Sequence, residues 1–416
     1  MEATFTSIFI GAVVTATAVQ LWLAARQLRH VRQHADAVPA QFEGRITQTQ
    51  HGKAADYTVA RVRIGIVDLL LAAVLVFVWT LAGGLQTLSD LWTPYLENPV
   101  AHGVAVMMSM FLISALISMP TEVYGTYGIE RRFGFNRTTP ATYVLDTIKK
   151  LVLMTAIGAP LAGIILWLMQ HLGNYWWLAA WAVWIGVNLL AVWAFPVFIA
   201  PLFNKFEPLA DSELAARIGA LLERHGFAAS GIFVADGSKR SGHGNAYFTG
   251  LGPSKRIVFY DTLLEELDTA EVEAVLAHEV GHFKRKHIAK QLLFSAIIVL
   301  SGLALLAWLA SQSWFYGGLG VSTPSMATAL LLFMLCAPSF FFFLGPLMSM
   351  MSRKHEYEAD AFAAEQADSD ILVNALVKLY RSNSSTLTPD HLYSAFHDSH
   401  PPAPLRIAHL EGLTRG

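Results

Sequence analysis

Long apolar runs alternate along the chain with shorter polar stretches. Seven runs reach the roughly 20 apolar residues that a membrane-spanning helix needs. They lie at about 5–25, 65–87, 101–120, 151–171, 175–203, 290–314 and 325–351. Two polar regions are large enough to fold, 204–289 and 352–416. In the first, residues 211–225 (DSELAARIGALLERH) repeat apolar positions at helical spacing, with Asp211 or Ser212 as cap and Gly226 as stop. GIFVAD, 231–236, reads as a short strand, and NAYFTGLGPSKRIVFYD, 245–261, as two strands around a Gly-Pro turn. From Asp268 or Thr269 the helical period returns over 269–290, predicting one helix that continues into the sixth run. Residues 352–367, SRKHEYEADAFAAEQA, are also helical in character. The fold class expected is an all-α polytopic membrane protein of seven transmembrane helices with a small α+β domain containing a short β-sheet. Its parts are 1–203 (five spans with loops 26–63 and 121–150), 204–289, 290–351 (spans six and seven) and 352–416.

Composition supports a membrane protein: 54% of residues are hydrophobic and only 14% charged, against about a quarter charged in soluble domains. A net charge of −2 gives no global basic field, so nucleic acid is not an expected partner. All 29 Lys and Arg residues fall in four segments, 26–63, 121–150, 203–290 and 352–416. The N-terminus and the loops 88–100, 172–174 and 315–324 hold none. Positive charge marks the cytoplasmic side. The N-terminus is therefore expected outside, with the C-terminus and both polar regions inside. No Lys or Arg precedes the first run, which is long, so it reads as a retained span rather than a cleaved signal. The single cysteine, Cys336, lies in an apolar run and reads as a core residue, so no disulfide forms within the chain. No internal repeat is visible, which weakens a transporter reading built on repeats.

The chemistry concentrates in HEVGH, residues 278–282. Positions i and i+4 share a helix face, so His278 and His282 can hold one metal together. Imidazole suits Zn²⁺, which in catalytic sites takes three protein ligands and a water. Glu279 is then placed as general base. A third ligand is offered by the later helix, where Glu356 and Asp360 are also spaced i, i+4. Glu356 is expected to bind the zinc and Asp360 to accept the free N–H of a ligand histidine, His278 first. His355 is the rival ligand, and Glu358 reads as surface. His287, five residues beyond His282, reads with Lys284, Arg285 and Lys286 as a basic interfacial collar facing away from the metal.

HEVGH, EYEAD, GSKRSGHGNAYFTG, SHPPAPLRI and the loop GIERRFGFNRTTPATYVLDTIK (128–149) together resemble the type I CAAX prenyl proteases, seven-span membrane zinc metallopeptidases of the gluzincin class. The resemblance runs from the first spans to the C-terminus. It implies a water-filled chamber among the spans, with one Zn²⁺ per chain at its inner end. His278, His282 and Glu356 match the family's ligands, Glu279 its catalytic glutamate and Asp360 its outer acid. His243, Asn245 and Tyr247 fall in a motif whose strand lies along the substrate, which it can bind by edge pairing. His400 and Arg406 match catalytic residues near the metal, and His400 could donate to the developing oxyanion. Peptide or protein substrates follow, prenylated or otherwise membrane-associated, with membrane lipids as surroundings. Short outer loops and the ending LTRG resemble a bacterial inner-membrane member, in which general membrane-protein quality control is the alternative role. A transporter with an incidental metal site predicts ionisable groups mid-span, whereas Asp68 sits near an end of its run, where its charge can reach the interface. A four-span heat-shock-type metallopeptidase fits the seven runs poorly.

Overall fold

Residues 1–227, 230–249, 256–366 and 368–414 are described by the computed structural model. Among them seven helices are long and apolar enough to cross a membrane: Glu2–Gln33, Gln48–Trp79, Pro99–Phe133, Pro140–His171, Gly173–Phe203, His287–Leu309 and Met326–Gln366, here spans one to seven. Three of the departures of their boundaries from the apolar runs change the architecture. Span two starts well before its run and ends at Trp79; a turn with Gly83 at φ 76° then opens a separate helix, Gly84–Trp92. Span three continues past Pro120 to Phe133 through a π-helical stretch, Tyr124–Glu130. Such π turns take up irregularities in the ladder without ending the helix. Span seven and the polar acid-bearing helix are one 41-residue element.

The polar domain is built on a four-stranded sheet ordered β1-β2-β4-β3, with β1 Phe206–Pro208, β2 Gly231–Ala235, β3 Ala246–Thr249 and β4 Arg256–Tyr260. β2 and β4 are parallel, and the two outer pairs are antiparallel. β1, unforeseen from the sequence, is three residues long, too short to display alternation. The expected Gly-Pro turn between β3 and β4 lies outside the described residues. Among the described residues β3 pairs only with β4 and so forms an edge.

Six helices complete the domain, one of them the short Asp261–Glu266 that follows β4. α1 is Ser212–Arg224, capped by Asp211. α2 is Thr269–Lys284, opened by a reciprocal Asp268–Glu271 capping box. α3 is Ser369–Ser382, α4 His391–His397 and α5 Ala403–Thr414. The apolar faces of α1, α2, α3 and α5 meet the sheet in one core that includes Ile218, Phe259, Leu276, Leu372 and Ile407. Phe42 and Ile46, from the loop between spans one and two, insert into the same core. Each such burial is worth about 1.5–3 kcal/mol, so this loop fastens the domain to the spans.

A second core gathers Phe9, Trp79, Met107, Leu166, Leu306 and Leu331. These residues come from the beginnings of odd-numbered spans and the ends of even-numbered ones, as alternating helices require. Between the two cores the spans are sparsely packed, and none buries more than 33% of its most apolar stretch. Part of the uncovered surface faces hollow space. A cavity of about 590 Å³ is lined by Arg61, Asp68, Ser118, Glu122 and Glu130 among others. Asp68 thus faces this cavity. A second cavity of about 400 Å³ shares Arg61 and Gly65 with the first and reaches Tyr393 and His397 on α4.

Candidate metal centre

α2 packs against the C-terminal end of span seven, and Gly281 sets how closely. A Cβ there would lie 3.0 Å from Ala359 Cα and 3.1 Å from its carbonyl oxygen. The missing side chain lets the two backbones approach and brings Glu356 opposite the histidines. His278 Nε2 and His282 Nε2 lie 3.1 Å apart. Glu356 completes a triangle, with Oε2 3.5 Å from His278 Nε2 and Oε1 3.4 Å from His282 Nε2. Tetrahedral zinc with nitrogen ligands at 2.0–2.1 Å separates its ligand atoms by about 3.3 Å, so the donor set fits this ion. Two further features suit a cation. The two Nε2 atoms face each other, and Glu356 Oε2 is buried with no aligned hydrogen bond, although His400 Nδ1 is 2.8 Å away.

Behind His278 the support is dense. His278 Nδ1 lies 2.8 Å from Asp360 Oδ1, the geometry in which an N–H donates to a carboxylate. Arg406 grips Asp360 with two bonds of 2.7 Å, from Nε and Nη2. Arg406 Nη2 also lies 3.2 Å from His278 Nδ1, and Nη1 is 3.6 Å from Glu356 Oε2. Burial works against the Arg406 charge, but the Asp360 carboxylate more than offsets it, and the guanidinium stays charged above its ordinary range. Arg406 therefore supports the ligands from behind, while His400, 66% exposed, stands at the open side. Glu279 is half-buried and makes no ion pair among the described residues.

His287 contradicts its expected place. It is 4% exposed, and its Nδ1 lies 3.0 Å from His282 Nδ1. Glu358 is not free surface: its Oε2 is 3.0 Å from His287 Nε2. His355, the rival ligand, stacks on His287 with ring centroids 4.1 Å apart and is not among the three residues of the triad. The predicted continuous helix over 269–290 is broken after Lys284, and Lys286 adopts φ 56°. A signal for the break was present. Lys284, Arg285 and Lys286 are all exposed, whereas three successive residues of a packed helix spread over about 200° of its surface.

At the sheet edge, His243 stacks on Phe135 with centroids 4.2 Å apart. Its ring nitrogens approach Asn383 at 3.1 Å and Glu130 at 3.3 Å. The side chain thus ties the strand to span three and α3. The Asn245 carbonyl accepts from Tyr260 N–H at 2.9 Å, and its side-chain oxygen accepts from Ala246 N–H at 2.8 Å. Tyr247, half-buried on β3, has its phenol pushed up to about 12 by burial, with Tyr260 adding.

Two family models cover nearly the whole chain: one described as CAAX prenyl protease N-terminal, five membrane helices, over residues 27–205, and Peptidase family M48 over residues 208–414. With the triad and the spans in one chain, the protein is an integral, multi-pass membrane metallopeptidase, and the metal typical of the class is zinc. It belongs to the type I CAAX prenyl protease family. CAAX prenyl protease 1 of Saccharomyces cerevisiae is 37% identical over 341 residues, 76% of this chain and 74% of that protein. An Arabidopsis thaliana homologue is 30% identical and matches over 99% of both chains. The crystal structure of S. mikatae Ste24p superposes with a TM-score of 0.92 at 31% identity, covering 98% of this chain and 99% of that one.

Proposed function

We propose that the chain hydrolyses peptide bonds in membrane-associated peptides, including prenylated CAAX-type C-termini such as those for which its relatives are named. One zinc ion per chain would be held by His278, His282 and Glu356. The observation that carries this reading is the cluster of ligand atoms: His278 Nε2 and His282 Nε2 are 3.1 Å apart, and the two Glu356 carboxylate oxygens lie 3.5 and 3.4 Å from them. When bound, zinc polarises the scissile carbonyl and lowers the pKa of an attacking water to about 7. An extended peptide would add to the free edge of β3, with Asn245 fixing its register and Tyr247 flanking it. His243 would hold that strand in place. Glu279 takes the proton of the water and returns it to the leaving amine. His400 donates to the oxyanion that develops on the carbonyl. Arg406 acts through Asp360, keeping His278 oriented.

The test is Glu279→Gln assayed on a farnesylated CAAX peptide. Zinc should remain bound while hydrolysis falls about 10²–10⁴-fold; undiminished cleavage would remove Glu279 from the mechanism. Equal cleavage of an unprenylated membrane peptide by the wild type would make the broader substrate class the correct one. The Lys and Arg distribution supports a site on the cytoplasmic side of the membrane. Ser322→Cys, with the native cysteine replaced, should react with an impermeant thiol reagent only from outside. Labelling from inside would reverse the topology.

A further inference from the structure

On an unbroken helix, five steps would turn His287 about 140° away from His282. The break between α2 and span six cancels that rotation. Lys286, the residue before span six, sits at φ 56°, ψ 36°, in the left-handed region. For a side chain bearing a Cβ this costs about 1–2 kcal/mol. Such strain persists where the surroundings demand it, and it clusters at functional sites. Here the turn re-aims His287 inward, against the side of His282 remote from the triad.

We infer that His287 and Glu358 are positioning residues that hold His282 with its Nε2 lone pair toward the metal. This rests on the triad as the metal site. The proton assignments follow from the contacts. If His282 Nε2 is to bind a cation, its proton must sit on Nδ1. That N–H donates to His287 Nδ1, 3.0 Å away. The His287 proton is then on Nε2 and donates to Glu358 Oε2, also at 3.0 Å. Each ring nitrogen has one role, and only one tautomer of each histidine satisfies the chain. His355, stacked on His287 with an interplanar angle of 12°, holds that ring in plane. The far end of the relay is not sealed. Glu358 lies 4.0 Å from Lys290 and 3.9 Å from Lys354, beside an open pocket of about 560 Å³. A carboxylate at the end of a histidine relay makes the ligating ring a stronger donor to the metal. Groups in this position are typically worth 10–100-fold in metal affinity.

The experiment measures zinc affinity of the purified full chain in detergent, by competition with a chelator. His287→Phe keeps the ring and its stacking but offers no hydrogen bond; its zinc Kd should rise about 10–100-fold. His287→Gln has a carbonyl that can accept from His282 and an amide that can donate to Glu358, and it should recover most of the loss. A Phe variant that binds as wild type, or a Gln variant as weak as Phe, overturns the relay. Should His287→Phe fail to fold, as judged by unfolding of the zinc-free protein, Glu358→Ala serves instead. It should also weaken binding, and an unchanged Kd overturns the inference. Glu356→Ala separates the two claims. If it retains zinc, the triad is wrong; if it loses zinc while His287→Phe retains it, only the relay is wrong.

Discussion

Two neighbouring histidines of one helix turn are supported in opposite ways. His278 rests on Asp360, which is fully buried and clamped by Arg406 through two bonds of 2.7 Å. His282 rests on a second histidine and on Glu358, whose side chain is 30% exposed and shared with two lysines. The first support is closed: its charges are paired with each other and removed from water. The second is open and ends at the surface of the domain, where salt and solvent reach it. An electrostatic contact gains strength as water is excluded. The His278 side is therefore expected to be the rigid one and the His282 side the adjustable one.

That contrast can be broken by experiment. The largest effect should come from Arg406→Ala. It strands the Asp360 carboxylate in the interior, an imbalance that typically costs 3–5 kcal/mol. Thermal unfolding should show it, with Arg406→Lys restoring part of the loss. A stability equal to wild type would mean that water reaches Asp360 and that the closed side is not closed. Next comes a paired measurement of zinc affinity. Asp360→Asn should weaken binding toward the upper part of the 10–100-fold range for such groups, and Glu358→Gln toward the lower part or below it. If Glu358→Gln costs the more, the open side is the stronger support. The smallest effect belongs to Lys286→Gly. Removing the Cβ relieves the left-handed strain, but glycine frees the unfolded chain, so the net change should stay within about 1 kcal/mol. Its zinc affinity should match wild type, because the relay does not involve the Lys286 side chain.

A similar contrast separates parts of the site that were legible in the sequence from parts that were not. The i, i+4 spacing within HEVGH and within EYEAD placed four of the groups on two helix faces before any fold was known. His400 and Arg406 became candidates only through resemblance. The structure parts them, putting His400 on the open side of Glu356 and Arg406 behind Asp360. His243, expected to bind substrate, turns its ring toward Glu130 and Asn383. Nothing in the spacing of these residues foretells those partners, which lie 113 and 140 positions away.

The amino-acid sequence alone determined the seven spans and the helix faces that carry the metal ligands. Both depend on local rules: about 20 apolar residues to cross a bilayer and a fixed rotation per residue along a helix. The cation distribution likewise supplied the sidedness proposed above. Only the tertiary structure decided how the two ligand helices meet. That depends on a backbone approach at Gly281, where a Cβ would come within 3.0 Å of Ala359. Only the tertiary structure, too, turned His287 from a member of a basic collar into a partner of His282. Its direction is set by one unfavourable dihedral at Lys286. A lysine gives no local reason for that conformation, and it is held by contacts that exist only after span six and span seven have come together.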